Sequence, residues 1–356
     1  MKDNLIFLGI ETSCDETAAS VVSVKNNKAV IHSNVISSQV EEHLKFGGVV
    51  PENAARSHAE KIDIIIKKAM TDSRCKFEDL DGIATTAGPG LLVCLMVGLS
   101  AGKTLAGFLK KPFLAINHLE GHALTPRMFE HIEFPYLLLL ISGGHSQFLI
   151  AEGVGKYKRI GTSIDDALGE AFDKTAKMIG LSYPGGPKIE KLAEKGDPNF
   201  YKLPKPIFNN PGCNMSFAGL KTSILQISKK IKNKKAKENL AASFQKTIND
   251  ILYKKCSNAM HEFLKLYKPK NNHFIVSGGV AANQSIRNNL RALSEKLNFS
   301  IFFPPFELCT DNGAMIAWAG IERFRLGFRD ELNFEARPRW PLDMNAPFLK
   351  GAGVKH

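Results

Sequence analysis

The sequence predicts an α/β protein built from two copies of one hairpin-led sheet unit, with a ligand cleft between the halves. Three observations carry that expectation. The apolar run LIFLGIE, the small and acidic turn TSCDE and the return run TAASVVSV form a strand, turn and strand at the start of the chain. About 130 residues later YLLLLIS, GGHS and QFLIAEG repeat the pattern. The length of 356 residues suits two domains at about 150 residues each.

The elements follow in order. Third strands are expected at KAVIHSNVIS in the first half and KYKRIGTS in the second. Residues 51–70 have helical periodicity, with Pro51 suited to a first turn. GIATTAGPG reads as a buried strand and a Gly-Pro-Gly turn leading into an apolar helix over 91–109. That helix carries Lys103, Thr104 and several glycines, so it reads as a buried helix and not a membrane span, which needs about 20 mostly apolar residues. PFLAINHLEGHALTPRM is strand then helix. In the second half a helix near 166–179 precedes a YPGGP loop, and a long helical region covers 239–266. HFIVSGGVAANQSIRNNL is strand, glycine turn and helix start, and 311–326 forms a last helix before a tail rich in Pro, Arg and Trp.

Hydrophobic residues make up 44% of the chain and charged ones 23%, which excludes a disordered or fibrous protein. Six scattered cysteines without a CxxC pair argue against a disulfide scaffold or a cysteine zinc site and for a reducing cytoplasm. The opening MKDNLIFLGIETS is too briefly apolar for a secretion signal. The net charge of +12 points to a polyanionic partner. Residues 221–270 hold thirteen Lys, no Arg and three acids, densest at Lys229, Lys230, Lys232, Lys234, Lys235 and Lys237, expected as a loop between two helices. This flank suits docking of a nucleic acid by its phosphates, or is a solvated insertion.

His118-Leu-Glu-Gly-His122 places two imidazoles at i and i+4 on one helix face, within reach of one metal ion. The glutamate is third and not second, so the general-base pattern HExxH of zinc proteases is not reproduced. Asp311, at a loop-to-helix junction, is a candidate third ligand or a helix cap. Glycine turns follow apolar strands at Ser142-Gly143-Gly144-His145, Gly185-Gly186, Gly278-Gly279 and Gly88-Pro-Gly90, where backbone can approach a phosphate or adenine closely. Asp15 and Glu16 sit in the first turn. Asp173 and Lys174 offer contacts to a ribose and a phosphate or form a solvated helix face, and Asn283 either reads a base or sugar edge or caps a helix. No Walker-type GxxxxGK[ST] is present, which argues against a P-loop enzyme.

GIETSCDETAAS, GPG before an apolar helix, NHLEGH, SGGHS, GEAFDKTAK, YPGGP, SFAGLKT, SGGVAAN and CTDNGAMIA occur in the order found in the TsaD/Gcp family, which this chain resembles from Leu5 to about Arg323. The tail ARPRWPLD resembles bacterial members. The resemblance implies the actin/Hsp70/sugar-kinase fold: two RNase H-like lobes around a nucleotide cleft. It divides the chain into an N-terminal lobe over 1–131 completed by about 313–340, a C-terminal lobe over 132–312 and a tail over 341–356. It implies transfer of a threonylcarbamoyl group from threonylcarbamoyl-adenylate to N6 of the adenosine just 3′ of the anticodon, in tRNAs reading codons that begin with A. By motif matching, His118, His122 and Asp311 would hold one divalent metal ion per subunit, Fe2+ or Zn2+. Ile141, Ser142, Gly143, Gly144, His145, Asp173, Gly186 and Asn283 would bind the adenylate. Where the family often has Asp, this chain has Glu190, and no ribose contact is assigned there; Ala218 departs from the family's SFSGLKT. No general base is identified, with Glu11, Asp15, a histidine or the AMP phosphate as candidates. Implied partners are a TsaB-like inactive paralogue and a TsaE-like ATPase, with no membrane and a cytoplasmic setting. A metalloprotease using HLEGH and an ATP-dependent chaperone or scaffold on the same fold are the rival readings.

Overall fold

The structure, a computed structural model, describes residues 4–44, 46, 48–231 and 233–347. Lys232 and residues 348–356 of the expected tail lie outside the described residues. Two compact units divide the chain. One comprises Met1–Ile132, Val154–Lys156 and Pro305–Met344, and the other Glu133–Gly153, Tyr157–Pro304 and Asn345–His356.

The first unit is built on β1 (Ile6–Glu11), β2 (Glu16–Lys25), β3 (Lys28–Ser38), β4 (Gly82–Gly88) and β5 (Phe113–Asn117). Its helices are α1 (Val40–Leu44), α2 (Pro51–Ser73), α3 (Leu92–Leu109), α4 (His118–Leu124) and, from the far end of the chain, α10 (Gly313–Arg325). The second unit holds β6 (Tyr136–Ile141), β7 (Ser146–Gly153), β8 (Lys156–Thr162), β9 (His273–Ser277) and β10 (Ser300–Phe302). Its helices are α5 (Leu168–Met178), α6 (Gly185–Ala193), α7 (Ala218–Ser228), α8 (Lys234–Tyr267) and α9 (Gln284–Lys296).

The expected duplication is visible strand for strand. The sheets run β3-β2-β1-β4-β5 and β8-β7-β6-β9-β10. In each, the opening hairpin is antiparallel, Ile6↔Ser23 and Tyr136↔Ala151, and two further strands are added parallel to the first. The central strands β1, β4 and β6 are buried along almost their whole length, which is why they read as unbroken apolar runs, whereas the edge strand β3 alternates.

Close approach of α10 to the first sheet depends on glycine. A Cβ on Gly9 would lie 2.2 Å from the Gly313 carbonyl oxygen, and one on Gly313 would lie 2.6 Å from the Ser20 nitrogen. Ten consecutive α10 residues, Gly313 to Glu322, are buried. Beyond α10 the segment around Phe334, Ala336 and Trp340 packs on the same core, and the Arg337 amide donates to the Ala87 carbonyl at 2.7 Å.

Three expectations change. The apolar helix α3 buries one face (Cys94, Leu95, Leu99, Ala106) against the core but exposes Leu92, Val93, Met96 and Phe108, so it is not buried all round. The YPGGP segment is not a loop throughout: α6 begins at Gly185, with Pro184 before it. The lysine cluster is not one loop either, since Lys234, Lys235 and Lys237 form the first turn of α8, capped by the Asn233 side chain accepting from the Ala236 amide at 2.8 Å.

Candidate metal centre and anion-binding turns

The parallel strands of the first sheet end side by side, and their ends carry the chemistry. Glu11 closes β1, Thr86 lies near the end of β4, and His118 follows β5 directly. Asn117 caps α4, its Oδ1 accepting from the Leu119 amide at 2.9 Å, while its Nδ2 donates to the Trp340 carbonyl at 2.8 Å. The cap fixes where α4 starts, and the helical period then brings His118 and His122 together edge to face, their ring centroids 4.9 Å apart.

Asp311 joins them from the loop before α10. The cap of that helix is Asn312, whose Oδ1 accepts from the Met315 amide at 2.9 Å, so Asp311 is spared for the histidines. Its Oδ1 lies 3.4 Å from His118 Nε2 and 3.1 Å from His122 Nε2. One donor atom from each of the three side chains lies within 4.8 Å of the others.

Glu11 stands behind His118. Its Oε2 accepts from His118 Nδ1 at 2.9 Å and from the Thr86 hydroxyl at 2.5 Å, and its Oε1 accepts from the Ser13 amide at 2.5 Å. A proton held on Nδ1 toward Glu11 leaves the Nε2 lone pair facing Asp311, the tautomer a metal ion requires. Burial works against charge on both groups, yet the Glu11 carboxylate is held below its usual range by His118 and Thr86. The imidazole of His118 is pushed well above its usual range, against burial, by Asp311 and Glu11. Nearby Glu16 is driven well above its usual range by burial and by Asp311, Asp15 and Glu11. Two imidazoles and a carboxylate backed by further carboxylates form a donor set that fits Fe2+ or Zn2+.

Glu120, between the two histidines, faces the other way. It is 1% exposed and its Oε2 pairs with Arg323 Nη1 at 3.0 Å. Two residues along a helix is over half a turn, so this carboxylate cannot serve a metal held by its neighbours.

In the second unit the residues matched to adenylate binding lie around the corresponding strand ends. Ile141 ends β6, and Ser142 to His145 form the turn to β7. The Ser142 amide donates to the His145 carbonyl at 2.8 Å, and the His145 amide donates to Ser142 Oγ at 3.1 Å. Gly278, at φ +95° after β9, abuts this turn; a Cβ there would sit 2.4 Å from the Ile141 oxygen. The start of α5 closes on it too, with the Gly169 amide donating to the Ser142 carbonyl at 3.1 Å. Gly143, Gly144, Gly186 and Gly279 have open space where a Cβ would be. The Gly-Pro-Gly turn of the first unit differs, since a Cβ on Gly88 would strike the Arg337 carbonyl and one on Gly90 the Ser13 carbonyl. That turn is filled by the protein's own backbone and presents no open cradle.

Several side chains read as ligand contacts have protein partners. Asp173 Oδ1 accepts from the Gly185 amide at 2.7 Å, tying α5 to the start of α6 beside Gly186. Lys174 is held by Glu170 at 2.7 Å and Asp166 at 3.0 Å. Asn283 caps α9, accepting from the Ile286 amide at 2.8 Å and donating to Gln245 Oε1 at 2.9 Å. Glu190 accepts from the Ser285 amide at 3.0 Å. The SFAGLKT motif docks on the segment before α5. The Phe217 amide donates to Asp165 at 2.7 Å and Lys221 pairs with Asp166 at 2.6 Å, so Ala218 only opens α7. The sequence reading missed Ser13 and Thr86 as partners of Glu11; the one signal was a glutamate ending an otherwise apolar strand.

Residues 30–318 match the family described as "TsaD: tRNA N6-adenosine threonylcarbamoyltransferase". The tRNA N6-adenosine threonylcarbamoyltransferase of Pelagibacter ubique is 60% identical over 356 residues, covering 100% of both chains. That of Rhodospirillum rubrum is 50% identical over 352 residues and 97% of both. The chain belongs to this family. It is a transferase of the tRNA N6-adenosine threonylcarbamoyl type, acting on tRNA. HypF of T. kodakarensis, 16% identical with a TM-score of 0.58, is similar over 91% of this chain and 48% of its own, which speaks for the fold alone.

Proposed function

We propose that the chain transfers the threonylcarbamoyl group of threonylcarbamoyl-adenylate to N6 of the adenosine just 3′ of the anticodon, in tRNAs reading codons that begin with A, releasing AMP without a covalent enzyme intermediate. The observation that carries the reading is the convergence of His118, His122 and Asp311, with Glu11 behind His118, in a chain of this family.

The donor substrate is a mixed carbamic–phosphoric anhydride and arrives activated, so the protein's task is to orient it and stabilise charge. His118, His122 and Asp311 would hold one Fe2+ or Zn2+ per subunit, which would supply Lewis acidity there. The Ser142 to His145 turn, open at Gly143 and Gly144, holds the adenylate together with Gly186, and Ile141 shapes the start of that turn. Asp173 and Asn283 act by setting the ends of α6 and α9 beside it. Glu11 already accepts three hydrogen bonds, so it orients His118, which leaves Asp15, a histidine or the AMP phosphate to take the proton from the adenosine amine. A TsaB-like inactive paralogue and a TsaE-like ATPase act with the chain in the cytoplasm. The pairing of Glu120 with Arg323 speaks against the protease reading.

Reconstitution tests the proposal: purified protein, unmodified tRNA and threonylcarbamoyl-adenylate, with and without the two partners, followed by mass spectrometry of the nucleosides. Threonylcarbamoyladenosine and stoichiometric AMP are expected. Absence of both with every component present would sink it.

A further inference from the structure

Within the second unit, β8, the segment Asn209–Cys213 and one face of α8 enclose a groove of about 660 Å³. Its wall is fixed from below by α8 itself. The fully buried Lys255 donates to the Asn210 carbonyl at 3.0 Å, and Asn258 Nδ2 donates to the Gly212 carbonyl at 2.9 Å.

Several lysines of residues 221–270 are committed to protein partners, while others, Lys229, Lys230 and Lys234 among them, are exposed and make no ion pair or side-chain hydrogen bond among the described residues. Lys221 is paired with Asp166, Lys246 with Asp250, Lys235 donates to the Lys195 carbonyl, and Lys255 is buried. Lys254 and Lys265 instead line the groove with Lys158 from β8. All three are exposed, and none makes an ion pair or side-chain hydrogen bond among the described residues. Lys254, His261 and Lys265 stand at i, i+7 and i+11, one stripe about 16 Å long at 1.5 Å per residue. Glu262 is the one acid on the lining. A stripe of that length spans the axial rise of about four or five nucleotides at 3.4 Å each.

We propose that this groove takes the sugar–phosphate backbone of the tRNA substrate, with Lys158, Lys254 and Lys265 as its phosphate contacts. The inference rests on the transferase reading and adds the place where the acceptor docks. Flexible, unpaired lysines give affinity and position without reading bases, so the groove holds the tRNA body and leaves recognition of the target adenosine elsewhere.

The test is fluorescence anisotropy of the full chain with an unmodified tRNA transcript decoding a codon that begins with A, over a salt series. Changing Lys158, Lys254 and Lys265 together to Gln removes three phosphate contacts. The slope of log K against log salt then falls by about 2, and affinity at 0.15 M salt drops about 50-fold, counting about 0.7 per contact and a vanishing gain near 1 M. A Lys229/Lys230/Lys234→Gln variant has the same charge loss outside the groove and keeps most of the slope. Circular dichroism checks that both variants fold as the parent does. An unchanged slope and affinity in the groove variant overturns the proposal, as does loss of binding to an acidic protein partner at unchanged tRNA affinity. If the parent protein itself binds no tRNA, the transferase reading falls with it.

Discussion

Replacing Glu11 with Gln tests how the metal centre is held without touching a ligand. The carboxylate accepts from His118 Nδ1 at 2.9 Å, the Thr86 hydroxyl at 2.5 Å and the Ser13 amide at 2.5 Å, and is 1% exposed. Glutamine retains one oxygen, which the Ser13 amide can keep, and turns an NH2 toward His118. The imidazole then becomes the acceptor at Nδ1 and carries its proton on Nε2, the atom that must bind the ion. Loss of such a backing carboxylate costs about 10–100-fold in metal affinity, or about 1.4–2.7 kcal/mol. Losing its charge-assisted bonds costs the metal-free fold about 1.5–3 kcal/mol in addition. Competition of the metal-free protein with a chromogenic chelator reads the first quantity, and denaturant melts of the same sample read the second. Thr86→Val, which keeps the carboxylate, should lose less than about tenfold. Metal affinity of Glu11→Gln within about twofold of the parent would refute the tautomer argument.

His118→Ala and His122→Ala are each expected to purify folded but without stoichiometric metal and without transfer; full activity of the metal-free double variant would remove the metal from the reaction. Glu120→Ala orphans Arg323 in a buried pair and should lower stability by about 3–5 kcal/mol while metal content stays at parent level, so a melt unchanged from the parent counts against the pairing. Asn283→Ala removes the α9 cap and should cost about 1 kcal/mol in urea unfolding, with weaker adenylate binding by calorimetry as the functional readout. Burial raises the Asp166 pKa, but Lys221 and Lys174 more than offset this and leave it below the usual carboxylate value. Its stabilisation is therefore present above that usual value and lost as pH falls through the lower folded one, and Asp166→Asn should flatten the acid limb of stability against pH.

Local signals carried the sequence reading furthest. The two opening hairpins are contiguous, so their apolar runs and turns announced the duplicated sheets, and the i, i+4 histidines needed only helical periodicity. What stayed hidden depends on distant partners. Glu11 and His118 are 107 residues apart, and only the fold shows that they meet. Asp311 and Asn312 compete on paper for one cap, and geometry gives it to Asn312. Open and packed glycine turns look alike in sequence; Gly143 and Gly88 differ because the segment at Arg337 crosses one of them. Lys254 and Lys255 are adjacent, yet one faces the groove and the other is buried.

The first unit begins the chain but is finished by residues 305–344, including α10 and the Trp340 segment. At about 5–20 residues per second, synthesis of the intervening stretch takes roughly 10–35 s. During that interval β1 has emerged while the helix that fits against Gly9 does not yet exist. The second unit, almost wholly within 133–304, is synthesised in full before the first can be finished, so on the ribosome Glu11 and His118 are both in place in the chain long before Asp311 arrives.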